Sequence, residues 1–371
     1  MHGFMKNRKI GWRQLPANRY IDFCVLLFLV IFPLFRNTYW IYVMTGIMAY
    51  MIFALSLDLL WGYTGLMSMG HSVLFGAGGY MIGIASAYAN QADWIKFDEL
   101  PWFLAPLQSE AGAFLMAILV PALISLFIGF FMFSGKIKGV FFSLITLALS
   151  GVAELFVINQ SDYTHGNSGI TVVSRTVLSN NRDDTMPDIS FYFVVLAFLA
   201  GAYLICSLIA RSRVGKVLQA VRENEDRLTF FGFKPAAFKL MIYTISGMIA
   251  GVAGVLYVRS QGSISSSSVG ISLATLVLVW VAVGGRGNLT GALVGTLVLQ
   301  AAQTQLNSVF SGISSEFAQY WQLVLGIIIL LIVFLIPKGI VGTILEVQQK
   351  NRDRRRKERI LKLEEESHGK K

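Results

Sequence analysis

The sequence predicts an all-α fold: a polytopic transmembrane bundle of about ten spans with both termini cytoplasmic. Three observations carry that expectation. Of the 371 residues, 55% are hydrophobic and only 14% charged, the balance of a chain whose solvent is largely lipid. Apolar runs of spanning length recur from end to end between short polar breaks. Lys and Arg then fall almost wholly on one side of the alternation those runs create.

The first 20 residues are basic (Lys6, Arg8, Lys9, Arg13, Arg19) and lead into an apolar run from Ile21 to Phe35. Arg36-Asn37-Thr38 follows where a signal peptide would carry small residues, so the run is read as a retained first span. Spans are predicted at 21–36, 39–60, 66–88, 111–133, 139–158, 190–210, 237–258, 270–284, 288–308 and 320–337. The eighth is short and follows Gly262 and the run Ser265 to Ser268, a pattern that fits a broken or re-entrant segment. With the N-terminus inside, the inward segments hold 26 of the 31 basic residues. The outward ones hold only Arg36, Lys96, Arg175, Arg182 and Arg259. Basic loops resist translocation and are held at the anionic inner leaflet, so this bias sets orientation. It also explains the net charge of +10 without nucleic acid as a partner. The chain divides into a basic cytoplasmic N-terminus (1–20), a membrane domain (21–337) and a charged cytoplasmic tail (338–371).

The polar segments exclude several functions. Loop 89–110, with Trp94, Pro101, Trp102 and Pro106, suits an ordered outer loop at the membrane interface, and loop 159–189, rich in Asn, Asp, Ser and Thr, faces the exterior. No extramembrane stretch is long enough for a soluble catalytic domain. Cys24 and Cys206 both sit in apolar runs, which points to packing and to no disulfide, metal or redox role. Gly129 to Lys136, GFFMFSGK, superficially resembles a phosphate-binding loop. It has five residues between its glycines rather than four, however, and Ile137 stands where a magnesium-binding hydroxyl belongs. No nucleotide or other cofactor is expected, so ATP-driven work would need a separate ATPase.

Two segments carry the functional signal. Residues 55–85 hold one acid, Asp58, one histidine, His71, and seven glycines at bilayer depth. An Asp at a helix centre costs about 2.5–3.5 kcal/mol on translocon scales, so it needs a role. Pathway lining and structural pairing both fit Asp58 and Glu154, and His71 fits either a relay or a polar group satisfied within the bundle. His165 reads as an ordinary loop residue. Gly79-x-x-x-Gly83, Gly247-x-x-x-Gly251 and Gly291-x-x-x-Gly295 read as helix-packing faces. The inner segment from Arg211 places Val214, Val217, Leu218 and Val221 at helical spacing, which predicts an extension of the sixth span. A short helix from Glu223 to Phe231 follows, stopped by Gly232 and Pro235. It leaves Phe230 and Phe231 at a cytoplasmic corner, either as a docking knob for a partner or tucked among lipid headgroups.

Together these segments resemble one family. Leu55 to Tyr80 is similar to the signature of branched-chain amino acid type permeases of ABC importers. It appears here as GYTGLMSMGHSVLFGAGGY, with Val73, Leu74 and Gly79 as departures. Arg222 to Gly232 (RENEDRLTFFG), Gly247 to Tyr257 (GMIAGVAGVLY) and Gly284 to Gly295 (GGRGNLTGALVG) extend the resemblance over about residues 40–340. Asp58 with Trp61, the DELPWF segment (Asp98 to Phe103), and Arg227 with Phe230 and Phe231 look more like the urea-type branch. Arg227, Leu228 and Thr229 stand where amino acid permeases more often have alanines.

The resemblance implies a permease subunit, not an enzyme, in the bacterial cytoplasmic (inner) membrane. It implies two ATPase subunits, a second homologous permease and an extracytoplasmic solute-binding protein as partners. Arg222, Glu223, Asn224, Glu225, Asp226, Arg227, Phe230, Phe231 and Gly232 would then form the ATPase-docking part of a coupling loop at 211–236. The expected cargo is a small polar solute, urea or a short amide, with a branched-chain amino acid as the alternative. Thr64, Ser68, Asn167 and Ser168 would line its path beside Asp58, His71 and Glu154. A secondary transporter or channel needing no ATPase is the rival of another class, because broken glycine-rich helices fit that class too. Uptake that survives ATP depletion would select it. An intramembrane enzyme using His71 and Asp58 is the remaining rival.

Overall fold

The computed structural model describes residues 16–34, 36–90, 102, 104–172, 186–313, 321–336, 339–344 and 346–347. The helices are α1 (Pro16–Ile31), α2 (Thr38–Thr64), α3 (His71–Ala89), α4 (Glu110–Ser134), α5 (Val140–Asn159), α6 (Ser161–Thr164) and α7 (Asp188–Arg211). They continue as α8 (Arg213–Glu223), α9 (Glu225–Phe230), α10 (Pro235–Gln261), α11 (Ile271–Gly284), α12 (Leu289–Ile313) and α13 (Trp321–Leu335). Two-residue strands β1 (Ile170–Thr171) and β2 (Ser263–Ile264) pair antiparallel, Ile170 opposite Ile264. The basic N-terminus as far as residue 15, Trp94, most of the DELPWF segment, residues 173–185 and the tail beyond residue 347 lie outside the described residues.

The fold is all-α and polytopic, and each of the ten predicted spans contains a helix. Not all are both long and apolar enough to cross a bilayer. Among the described residues six helices are: α2, α3, α4, α5, α7 and α10. α11 and α12 pass only as a pair, bent by 116° at their break, so the count reaches seven rather than ten. α1 and α13, at 16 and 15 residues, fall short of spanning length. The bend has a local cause in the Gly284 to Asn288 turn, where Gly285 (φ 117°) and Gly287 (φ 80°) adopt backbone conformations that side chains resist. A second expectation also changes. α8 is not an extension of α7, because Ser212 breaks to extended backbone and its hydroxyl accepts the Gly215 N–H, capping a new helix.

α2 is the central helix, packed on α10, α7, α12, α11 and α8, and its apolar window is almost wholly buried. α4, α5 and α7 form the periphery and present Leu115, Leu123, Phe127, Phe141, Val152, Leu155, Leu204 and Leu208 outward, as lipid-facing helices should. An aromatic cluster fills the middle, with Tyr50 against Tyr257 at 4.6 Å and Trp280 at 4.9 Å between ring centroids, and Phe53 against Phe75 at 4.7 Å. The loop from α2 to α3 is stitched to α5: Ser143 Oγ donates to Met67 O at 2.7 Å and Met69 N–H to Thr146 Oγ1 at 3.1 Å.

Glycine sets the helix spacing. A side chain at Gly78 would meet the Gly251 backbone, and one at Gly254 would meet Phe75 O, so α3 and α10 touch backbone to backbone. Gly247 and Gly251 admit Ser125, Pro121 and Ala117 of α4 in the same way. Gly291 and Gly295 admit the end of α11. Small residues at such crossings supply the close packing that replaces a hydrophobic drive between helices in lipid. Gly78→Val is expected to cost about 1–3 kcal/mol by overpacking. Thermal unfolding in detergent should show a lowered midpoint, while Gly201→Ala, whose added carbon meets nothing within 4 Å, should not.

Candidate functional site

The best-defined polar construction is the arm formed by α8 and α9. α8 is amphipathic and buries Gly215, Leu218 and Val221 against the bundle. Asn224 then takes extended backbone and caps α9, its Oδ1 accepting the Arg227 N–H at 3.0 Å. Leu228 anchors α9 from below. Two ion pairs hold the sides: Lys239 of α10, only 4% exposed, reaches Glu225 Oε2 at 2.6 Å, and Lys138 reaches Asp226 Oδ1 at 2.8 Å. The Lys138 hydrogen bond holds the Asp226 carboxyl below its ordinary range, and the same bond raises the Lys138 ammonium. The arm ends in bare aromatics, with Phe230 89% and Phe231 80% exposed, before Gly232 (φ 82°) turns the chain into α10. Pro235 is therefore the first residue of α10 as well as the end of the arm.

Arg222, in the last turn of α8, points inward rather than outward. Its Nη1 donates to Gly62 O at 2.6 Å, near the end of α2. Asp58, fully buried one turn earlier, accepts the Gly287 N–H at 2.7 Å, and Arg286 lies over the Trp61 ring at 5.3 Å. Thr64 completes the end of α2: its hydroxyl donates to Leu60 O at 2.7 Å and accepts the Leu66 N–H at 3.2 Å. Asp58 and Thr64 thus stand at the arm's end of the bundle.

His71 opens α3 and ties three helices together. Ser246 Oγ of α10 donates to Ser56 O at 2.6 Å, and Ser56 Oγ donates to Phe53 O at 2.6 Å. Both hydroxyl protons being committed, His71 Nε2 carries the proton that reaches Ser56 Oγ at 2.9 Å and Ser246 Oγ at 3.1 Å. Its ring stacks on Phe53, and Ser68 is buried nearby in sequence.

The other predicted path residues lie at the opposite end. The Glu154 carboxylate sits against Gly270, where a negative charge meets the start of α11. Asn167 Oδ1 accepts Ser266 Oγ at 3.2 Å, and Ser168 is exposed. His165 is more than a plain loop residue: at φ 57° its Nδ1 donates to Gly169 O at 2.8 Å, fixing the turn before β1. A cavity of about 410 Å³ between α2, α4, α7 and α10 is lined by Ile52, Phe114, Ile118, Phe198, Ile205 and Val252. Its lining side chains are all apolar. Sequence reading passed over Ser56, Ser246, Lys239 and Gly287, each a single polar or small residue inside an apolar or loop run. It also placed Arg259 in an outer loop, whereas Arg259 is buried in the last turn of α10, in electrostatic reach of Glu110.

Residues 39–333, from the start of α2 into α13, match the family described as "Branched-chain amino acid transport system / permease component". The chain belongs to this family. The high-affinity branched-chain amino acid transport system permease protein LivM of Salmonella typhimurium is 25% identical over 317 residues, covering 80% of this chain and 68% of that protein. LivM of Escherichia coli K12 is 24% identical, over 85% and 73% of the two chains. The ribose import permease protein RbsC of Bacillus subtilis is 30% identical over a shorter stretch, 38% of this chain and 43% of its own. No solved structure matches. As a member of this permease family the protein is a multi-pass ABC-transporter permease of the inner membrane, a transport subunit.

His71→Ala is expected to cost about 1–3 kcal/mol through the lost bridge between α2, α3 and α10. Thermal unfolding in detergent, run beside transport, checks it. A variant of unchanged stability with lost transport would place His71 in the path instead.

Proposed function

We propose that this chain is the transmembrane subunit of an ABC importer that carries a branched-chain amino acid. Two separate ATPase subunits drive it, and a second homologous permease and an extracytoplasmic solute-binding protein complete it. The observation that carries the reading is the arm: Phe230 and Phe231 stand exposed on a short helix that a cap and two ion pairs hold rigid. Two bare aromatics with charge around them suit a socket on a soluble partner. The arm and both termini lie in the cytoplasm, a topology supported by the distribution of Lys and Arg, and it requires α1, α13 and each half of the bent α11–α12 pair to cross along with the six helices of spanning length.

Closure of the ATPase dimer pushes on α9, and the bundle exchanges outward-open and inward-open states because the ATPases contact the arm differently in each. The binding protein delivers solute at the far end, beside Asn167, Ser168, Ser266 and Glu154. The path itself runs between two permeases, a reading supported by the apolar lining of the cavity within one chain. The LivM relatives support an amino acid as cargo. Urea or a short amide, the cargo expected from the sequence features, is less well supported than an amino acid. Asp58 beside Trp61 and the Arg227, Phe230 and Phe231 set keep it as the second reading.

Affinity purification of the tagged chain from its native membrane in mild detergent tests the assembly. It should bring down an ATPase and a second permease, and the binding protein found with them should bind leucine in preference to urea by calorimetry. Preference for urea would reverse the cargo assignment, and a chain that purifies alone and transports without ATP would overturn the importer. Phe230→Ala with Phe231→Ala should abolish ATPase co-purification while leaving the thermal midpoint unchanged.

A further inference from the structure

α2 ends beside two other parts of the chain at once, the arm and the α11–α12 turn. An α-helix leaves its last carbonyls without helical partners, and two of those of α2 are met from beyond its end. Gly65 N–H bonds to Trp61 O at 3.0 Å, and Arg222 Nη1 reaches Gly62 O at 2.6 Å. Arg222 belongs to the arm, 160 residues away in sequence. Its stem lies along the end of α2, Cγ 3.2 Å from where a side chain at Gly65 (φ 79°) would begin. Its guanidinium continues to the turn between α11 and α12, with Nη1 3.3 Å from where a side chain at Gly287 (φ 80°) would begin. From the other side Gly287 donates to Asp58 Oδ1 at 2.7 Å, and its Cα lies 2.6 Å from where a side chain at Gly62 would begin. The turn is the 116° bend of the α11–α12 pair. Gly339 (φ 76°) packs on Gly285 behind it.

On the reading that α8 and α9 receive the ATPase, we infer that Arg222 is a positioning residue that transmits the arm's movement, rather than part of the surface that docks. It joins the arm to the end of the central helix, and Asp58 joins that end to the α11–α12 bend. Displacing α8 therefore displaces the end of α2 and the bend together, through the charge-assisted hydrogen bond of Arg222, the hydrogen bond between Gly287 and Asp58, and a contact of glycine backbones. A cation at the carboxyl end of a helix also matches the local dipole, which favours Arg222 staying engaged as the arm moves. Phe230 and Phe231, which touch none of these groups, are left as the docking surface.

The test uses the intact importer in liposomes, with leucine uptake and phosphate release measured on the same preparation. Hydrogen exchange at residues 285–288 is followed with and without ATP. Arg222→Ala should keep its ATPase at the wild-type ratio and hydrolyse ATP at about the normal rate, with leucine moved per ATP falling about tenfold or more. The nucleotide-dependent change in exchange at 285–288, present in the wild type, should disappear, and Arg222→Lys should recover part of both. If Arg222→Ala does not accumulate, Arg222→Gln, which keeps a donor for Gly62 O but loses the charge, is read the same way. Loss of ATPase in proportion to uptake would make Arg222 a docking residue and overturn the inference while leaving the importer intact. An unchanged ratio of leucine to ATP would reduce Arg222 to a helix cap. A wild-type chain without any ATPase would overturn both readings, and a wild type that hydrolyses ATP without moving leucine would leave the exchange measurement to decide Arg222 alone.

Discussion

Backbone contact between α3 and α10 is the constraint from which the rest of the bundle follows. Apolar helices gain nothing by meeting each other instead of lipid, so association rests on dispersion at short range and on polar groups that find each other. Gly78 against Gly251, and Gly254 against Phe75 O, bring the two helices into backbone contact. The hydroxyls of Ser56 and Ser246 and the ring of His71 then satisfy one another beside that contact. α4 joins on the other edge of the same glycines, and α2 lies across the pair, carrying the aromatic cluster. A larger residue at one crossing would loosen three interfaces, since α10 presents adjoining faces to α2, α3 and α4.

Much of this was legible from spacing. Gly247 and Gly251 fall four apart, on one helical face, and both are used for packing as that spacing requires. Ten apolar runs became ten helices, but hydropathy cannot measure length across a bend, and the turn at Gly284 to Asn288, which its glycines permit, is held from outside by Asp58 and Gly339. Ser212 is a cap that the continuing apolar period of Val214, Val217, Leu218 and Val221 masked. What remained hidden was pairing across the chain. Asp58 meets Gly287 from 229 residues away, and His71 meets Ser246 from 175. No local pattern encodes those distances. Lys239 falls at the start of a predicted span, and nothing in its own neighbourhood announces Glu225 as the partner that makes its burial tolerable.

The seven residues read as one path in the sequence separate into three groups in space. Asp58 and Thr64 belong to the end of α2 and to its capping. His71 is held by α2 and α10, with Ser68 buried in the α2–α3 loop three residues before it. Glu154, Asn167 and Ser168 belong to the far end, where α5 finishes and α11 begins. The polar residues at bilayer depth are thus mostly engaged with backbone and with each other, the condition lipid imposes on any buried donor or acceptor. This division agrees with a proposed route along the face shared by two permeases, each contributing only its rim.

The strand pair at the far end has a mechanical consequence. β1 follows α5 and β2 follows α10, and Val172 N–H adds a further bond to Gly262 O at 2.8 Å. The segments leaving these two helices are therefore pinned, like the jaws of a pair of tongs at the rivet. While the ladder holds, the far ends of α5 and α10 stay tied together, and the ladder leaves the opposite tip, where Lys138 and Lys239 grip the arm, as the end it does not restrain. A short ribbon of backbone at one surface thereby makes the two ends of these helices mechanically unequal.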